Sequence, residues 1–534
     1  MTNFDYVSVP KPKESGFDLS YGNKFTMDFG DMVPCYKAEV LPGDEFKAKA
    51  QFMVRFAPLS NPIYTKINAQ IHYFFVPNRL LWNESKRNSW ETFITGGADG
   101  TINPTPPYMK LRDVWRVTMT STPDTSNYKC SQSLADYLGV PLNQNDDLNN
   151  DYQSYDYTER INMLPFLAYQ KIYDDWFRDP NVTNSLFDEF EDKWLVGGDI
   201  AQGNTNSPVS PSTANLLQLR KRSWRKDYFT SALPWAQRGE EVHLPVNTSF
   251  IFSDSIGYDN GSDGALIVEG EDNYGNPAYA LNQLSLGTIR DLRNANALQL
   301  WLEKNAIGGG RYIEQLLSHF GVYSDDARMQ RAEYLGSVKS PVIVSEVQSN
   351  ASTEDEPLGK LGGKAISYGN DYAFSTKFKE HGWIIGIMTI MPEASYCQGL
   401  HRSLTHRQDK LDYAFPEFAE IGLQQIDTSE IYVTEDSNPY KGTFGYNDRY
   451  GEYKSCYNEV HGKFADNQST LAQFNMTRFF DDVPTLGSDF LEVKEDDITS
   501  PFVDTTVNSG NIWVDLWNDV KAIRPLPKNS LPLF

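Results

Sequence analysis

A mainly β fold, a large all-β shell or sandwich, is predicted for this chain by two long alternating segments near the start and by strand patterning that returns after residue 370. In residues 46–56, Phe46, Ala48, Ala50, Phe52, Val54 and Phe56 fall on one face. Lys47, Lys49, Gln51 and Arg55 fall on the other, with Met53 as its apolar exception. Period-two patterning of this length marks a half-buried antiparallel strand. Leu41-Pro42-Gly43-Asp44 ahead of it is turn chemistry, because Pro presets φ, Gly supplies a positive φ and Asp bonds its own backbone. After Asn61-Pro62 the alternation resumes: Ile63, Ile67, Ala69, Ile71, Tyr73 and Phe75 against Lys66, Asn68, Gln70 and His72. Late in the chain, Tyr372, Phe374, Thr376 and Phe378 alternate with Ala373, Ser375, Lys377 and Lys379. Residues 383–391 are apolar enough to be buried on both faces. Early and late strands separated by long insertions pair non-locally, the strand order that a jelly roll uses.

Between the strands lie insertions. Residues 124–160, rich in Asp, Asn, Ser and Tyr without a period, read as a surface excursion. Residues 164–179 predict a helix carrying Phe166, Leu167, Ile172, Tyr173 and Trp176, ended by Pro180. A second helix is predicted from Thr288, with Asp291 three residues on, to about Lys304. A third runs from Arg311 to Phe320, with Ile313, Leu316, Leu317 and Phe320 on one face and Gly321 at the C-cap. No fixed-period repeat is present, which argues against a solenoid or propeller.

Composition narrows the function classes. The 48 basic and 71 acidic residues give a net charge of −23, unsuited to a free-standing nucleic-acid binder. The 11 Trp, 30 Tyr and 30 Phe suit a β core and also extensive subunit interfaces. The start of the chain lacks the basic and apolar regions of a signal peptide, and the apolar stretch 382–392 is too short for a membrane helix. Folding in a cytoplasm without membrane insertion is expected. Cys35, Cys130, Cys397 and Cys456 are scattered, with no C-x-x-C pair, and are expected to be buried free thiols.

Catalytic patterns are missing. The Gly359–Ala365 stretch lacks the spacing and hydroxyl of a phosphate loop and reads as a structural loop. His401 and His406, five apart, are poorly placed to share a metal. No G-x-S-x-G or H-E-x-x-H occurs. No cofactor, metal or catalytic residue is expected.

Two charge features stand out. Arg220, Lys221, Arg222, Arg225 and Lys226 place five cations in seven residues around Trp224, a pattern that can hold phosphate and stack a base. The same pattern can equally pair with a neighbouring subunit's carboxylates. Between Arg238 and Arg290 the chain carries eight acidic residues, no Lys or Arg, and many glycines, so this segment is expected to project into solvent.

The chain also resembles a known family. The resemblance is carried by His72-Tyr73-Phe74-Phe75-Val76-Pro77-Asn78-Arg79-Leu80-Leu81-Trp82 and by Phe93-Ile94-Thr95-Gly96-Gly97. It continues in Asp175-Trp176-Phe177-Arg178-Asp179-Pro180-Asn181 and Asp227-Tyr228-Phe229-Thr230-Ser231-Ala232-Leu233-Pro234-Trp235. Further blocks run from Gly309-Gly310-Arg311 through Ser318-His319-Phe320 to Glu333-Tyr334-Leu335-Gly336, and over Phe444-Gly445-Tyr446-Asn447-Asp448-Arg449-Tyr450-Gly451. In this order they resemble the major capsid proteins of the Microviridae, in particular the gokushovirus-like branch.

The resemblance implies an eight-stranded antiparallel jelly roll with long, partly helical loop insertions. It implies a homo-oligomer of sixty copies forming a T=1 icosahedral shell around circular single-stranded DNA. An internal scaffolding protein, a minor pilot protein and a host cell surface receptor would be its partners, and the virion its location. The single domain then divides into an N-terminal arm (1–16), first strands and insertions (17–239) and an exterior insertion (240–287) suited to host attachment. Helices and remaining strands (288–519) and an extended C-terminal arm (520–534) complete it. The five cations from Arg220 to Lys226 would face the packaged DNA. A competing reading from composition alone is a carbohydrate-active β-sandwich, a lectin or glycosidase, because Trp- and Tyr-rich β proteins with excess carboxylates often bind glycans.

Overall fold

A computed structural model describes residues 13–121, 130–142, 158–201, 210–239, 289–308, 311–321, 323, 325–348, 361–433, 442–494, 498, 501–504 and 510–529. The acidic insertion 240–287 lies outside the described residues, as do Thr288 and the last five residues.

Nine strands form one antiparallel sheet among the described residues. They are β1 (Ser15–Asp18), β2 (Tyr21–Met27), β3 (Val33–Val40), β4 (Glu45–Phe56) and β5 (Ile67–Pro77), then β6 (Glu333–Gln348), β7 (Leu361–Lys377), β8 (Gly382–Pro392) and β9 (Ile512–Arg524). Their order is β1-β9-β4-β7-β6-β5-β8-β3, and β2 pairs with β9 beyond β1. The sheet curls so that its two halves, β2-β9-β4-β7 and β6-β5-β8-β3, share one core. Phe46, Phe52 and Val54 of β4 lie in that core with Ile71 and Tyr73 of β5, Ile384 and Met388 of β8, and Val514 and Leu516 of β9. This curled, antiparallel, mainly β architecture is compatible with a jelly roll.

The alternation read from the sequence sets β4. Its even-numbered residues are buried and its odd-numbered ones point outward. Ahead of it, Gly43 takes φ 97° and the Leu41 N–H donates to the Asp44 carboxylate at 2.9 Å, so the turn forms as its residues dictate.

A second core lies on the opposite side of β5 and β8. There Phe74, Val76, Ile385 and Ile387 pack under α1 (Leu111–Ser121), α2 (Leu164–Ile172) and α3 (Pro211–Leu217), with Trp82, Tyr169 and Trp194 fully buried. Residues 383–391 are therefore buried on both faces because two cores meet there.

Several expectations change. The helix foreseen over 164–179 becomes π-helical after Ile172, where the Arg178 N–H donates to the Tyr173 carbonyl five residues back. The excursion 124–160 is not all surface, since Cys130, Leu134, Leu138 and Val140 enter the second core. Residues 361–365, read as loop, begin the 17-residue β7. Cys35 and Cys130 are buried as expected, but Cys397 is half-buried and Cys456 exposed. The C-terminal arm was expected to start at Val520, yet Val520–Arg524 belong to β9 and pair with β4 and β1. Residues 15–16 of the N-terminal arm likewise pair with β9. Two longer helices follow later in the chain, α4 (Ile289–Gly308) and α5 (Tyr312–Phe320). Gly321 in the left-handed conformation closes α5, as the sequence requires.

Candidate nucleic-acid interface

The cationic segment is an extended chain stitched between two others. The Arg222 N–H donates to Gly30 O at 2.7 Å and the Trp224 N–H to Leu491 O at 2.8 Å, while Met32 and Val493 donate to the carbonyls of Arg220 and Arg222. Side chains of an extended segment alternate in direction. Five neighbouring cations are therefore divided among different environments.

Arg220 turns inward and is 8% exposed. It donates to Gln170 Oε1 at 2.8 Å, Gln218 Oε1 at 2.9 Å and the Asn215 carbonyl at 2.9 Å, and stacks 5.1 Å from the Tyr173 ring. Burial lowers its pKa, and hydrogen bonds occupy its fork. Arg220 thus ties α2 to the segment after α3 and has no face left for phosphate. Lys221 pairs with Asp31 at 2.7 Å. Asp31 also accepts the Asp28 N–H at 3.1 Å, and burial together with Asp31's charge pushes the Asp28 carboxyl up to about 6.

Arg222 occupies a different setting. Its Nη1 donates to Thr389 Oγ1 at 2.7 Å, lies 3.3 Å from His72 Nε2, and the guanidinium stands 5.6 Å from the Phe177 ring. No carboxylate forms an ion pair with it among the described residues. Burial, then the Arg222 charge, holds the His72 pKa down at about 3, so the imidazole is neutral at ordinary pH.

These groups open onto a cleft of about 350 Å³ lined by His72, Phe74, Trp176, Phe177, Arg222, Ser223 and Tyr334. Phe74 sits 5.6 Å from Trp176, 5.8 Å from Phe177 and 5.5 Å from Tyr334 between ring centroids. The Trp176 indole is fixed by donating to the Ala332 carbonyl at 2.8 Å. A guanidinium lacking a carboxylate partner, among aromatic walls, can hold an anion beside a flat ring. Sequence reasoning found Arg222 but not this cleft, whose walls come from β5, the π-helical turn and β6.

The last two cations lie further out. The Arg225 side chain is 82% exposed, 3.9 Å from Glu393. Lys226 reaches Asp179 at 2.7 Å and the Thr230 carbonyl at 2.9 Å. The structure thus exposes Arg225 and Lys226, leaves Lys221 and Arg222 half-buried, and buries Arg220. No group of three or more His, Cys, Asp or Glu residues placed to hold a metal occurs among the described residues. No helix among them is long and apolar enough to cross a membrane.

Comparison with known proteins agrees over nearly the full length. Residues 7–534 match the family described as capsid protein (F protein). Capsid protein VP1 of Bdellovibrio phage phiMH2K is 31% identical, with 99% of this chain and 97% of that one aligned. Capsid protein VP1 of Chlamydia phage 1 is 30% identical at the same coverage. Capsid protein VP1 of Spiroplasma virus 4 is 26% identical over 94% of this chain and 92% of its own. The chain belongs to the phage capsid protein (F protein) family, among the gokushovirus-type major capsid proteins of the Microviridae, and is a structural component of the virion.

Proposed function

We propose that this capsid protein folds as an eight-stranded jelly roll and that sixty copies close a T=1 shell around circular single-stranded DNA. The observation that carries the reading is full-length family membership combined with the strand order. With β1 set aside, that order is β2-β9-β4-β7 followed by β6-β5-β8-β3, the two four-stranded halves that a double-sheet jelly roll requires. An internal scaffolding protein and a minor pilot protein assist assembly. No enzymatic step is involved. The carbohydrate-active alternative has no observation in its favour once the family is known.

Within the particle, Arg222, Arg225 and Lys226 meet DNA, with the Arg222 cleft taking a phosphate or a base edge. Arg220 and Lys221 support the backbone behind them. Insertion 240–287, whose eight carboxylates would be repelled by DNA and are costly to bury unpaired, projects outward and serves host attachment. Electron microscopy of particles from cells co-expressing the chain and its scaffold tests the shell. Particles of another symmetry, or a monomer that cleaves glycans, would overturn it. Replacing residues 253–277 with a short Gly-Ser linker is expected to spare assembly and impair adsorption to host cells.

A further inference from the structure

Among the described residues no second core covers the outer face of the β2-β9-β4-β7 half, and we infer that this face is a stacking platform for single-stranded nucleic acid. The inference deepens the packaging reading by assigning a contact surface far from the Arg222 cleft in sequence and chemistry.

Charge gives the first argument. The register places Lys24, Lys47, Lys49, Arg55, Lys364, Lys377 and Lys521 on outward positions, against Glu45, Asp515, Asp519 and, opposite Lys521 on β1, Asp18. Seven cations to four carboxylates reverses the 48 to 71 balance of the whole chain. A local excess of three positive charges in so acidic a protein suits a polyanion.

The aromatic residues give the second. Trp513, next to the start of β9, and Trp517, near its middle, point outward and are 49% and 48% exposed, and Tyr368 and Tyr372 stand out from β7. Outward residues four apart on a strand are about 13 Å from one another, and two strands over is about 10 Å. The rings therefore form a spaced array rather than one apolar patch. Trp513 lies opposite Arg55 and Thr26, and Trp517 opposite Gln51 and Gly22. A Cβ on Gly22 would lie 3.5 Å from the Trp517 ring, so glycine leaves that indole open. Beside Trp513, a shallow cavity of about 370 Å³ is lined by Lys24, Met53, Arg55 and Asp515 among others. A flat ring over an indole, with cations at hand for the flanking phosphates, is how sequence-tolerant single-strand binders work.

Two other occupants fit less well. Peptide strand addition needs unpaired backbone, yet β9 and β4 are hydrogen-bonded along both sides. A second copy of this chain would need a charge-depleted interface core, whereas each indole here has polar or charged cross-strand neighbours.

Ultraviolet irradiation of purified DNA-filled particles, followed by mapping of nucleotide adducts on peptides, is expected to find adducts at Trp513, Trp517 and Tyr368. Separately, full-length chain titrated with an oligothymidylate of about 16 nucleotides, the upper range for one binding module, should show saturable tryptophan quenching. Trp513→Leu and Trp517→Leu are each expected to weaken that binding about five- to 150-fold at an unchanged melting temperature, the range of one lost base stack. Adducts confined to other segments, unchanged binding in both variants, or a particle map with the indoles sealed against a neighbouring subunit would overturn the inference. Particles without nuclease-protected DNA would instead defeat the packaging reading, and the titration would still decide the face.

Discussion

The two halves of the curled sheet differ on their outer faces, although one core fills the space between them. On β5 and β8 the outward residues are Phe74, Val76, Ile385 and Ile387, and helical insertions cover them. On β4 they are Lys47, Lys49, Gln51, Met53 and Arg55, and none of the described residues forms a second core there. The backbone is the same in both places, so side-chain identity at every second position decides which face acquires a roof. A capsid subunit needs both kinds of surface: a rigid, roofed side to carry long insertions and an open side for partners.

Core truncation should expose this contrast most strongly. Trp194 is fully buried in the second core, with Phe187 and Phe190 rings each 5.3 Å away and its indole donating to the Ser212 carbonyl at 3.0 Å. Trp194→Ala is expected to cost about 3–5 kcal/mol and to lower the thermal midpoint and soluble yield sharply. Trp513→Ala, an equal truncation on the bare face, should cost under about 1 kcal/mol. Similar losses from both would mean that the open face is covered within the subunit.

Next in size is Asp174, at the junction of the π-helical turn with the roof. Its carboxylate accepts from Arg178 Nε at 2.7 Å, Ser185 Oγ at 2.8 Å and the Leu186 N–H at 3.0 Å. Asp174→Ala strands a largely buried guanidinium and is expected to cost about 3 kcal/mol in a denaturation experiment. A cost below about 1 kcal/mol would show that the roof does not depend on this anchor.

A pH scan probes the open end of the roofed face. His72 has a folded pKa of about 3, so between that value and its ordinary range near 6.5 the unfolded chain binds more protons. Its contribution is complete above about pH 6.5 and is lost on acidification, by about 2 kcal/mol on reaching roughly pH 5. Asp28, raised to about 6, acts with the opposite sign, because its protonated folded form favours folding as pH falls through that window. The comparison must therefore be wild type against His72→Gln, where only the histidine part disappears. Parallel stability curves would mean that His72 is solvated.

Legibility in the sequence followed the same divide. Half-buried β4 was plain because its outward residues are charged. Strand β9 was hidden, since Trp513 and Trp517 are apolar but outward while Asn518 is polar but buried, which blurs the period of two. The cations of residues 220–226 could be counted, but not sorted. Gln170, Asp31, Thr389 and Asp179, which set their environments, come from four distant segments. Family blocks carried Phe74, Trp176, Phe177 and Tyr334 in order, yet only the fold shows that they share a cleft.

The smallest expected effect is the strictest test of the bare face. Lys24 and Asp515 sit opposite one another on β2 and β9, 3.8 Å apart, with side chains 78% and 50% exposed. An exposed pair gains little from Coulomb attraction, because water screens it and holding two side chains costs entropy. A double-mutant cycle of Lys24→Ala and Asp515→Ala, read from thermal or denaturant unfolding, should give a coupling of about 0.5 kcal/mol or less that fades as salt rises. On the roofed side the same cycle for Arg178 and Asp174, whose side chains are 11% and 6% exposed, should give a larger coupling that salt barely changes. A coupling above about 1 kcal/mol for the Lys24 pair, insensitive to salt, would require a low-dielectric surrounding. The face would then be covered in the subunit itself, and nucleic acid would have no access to Trp513.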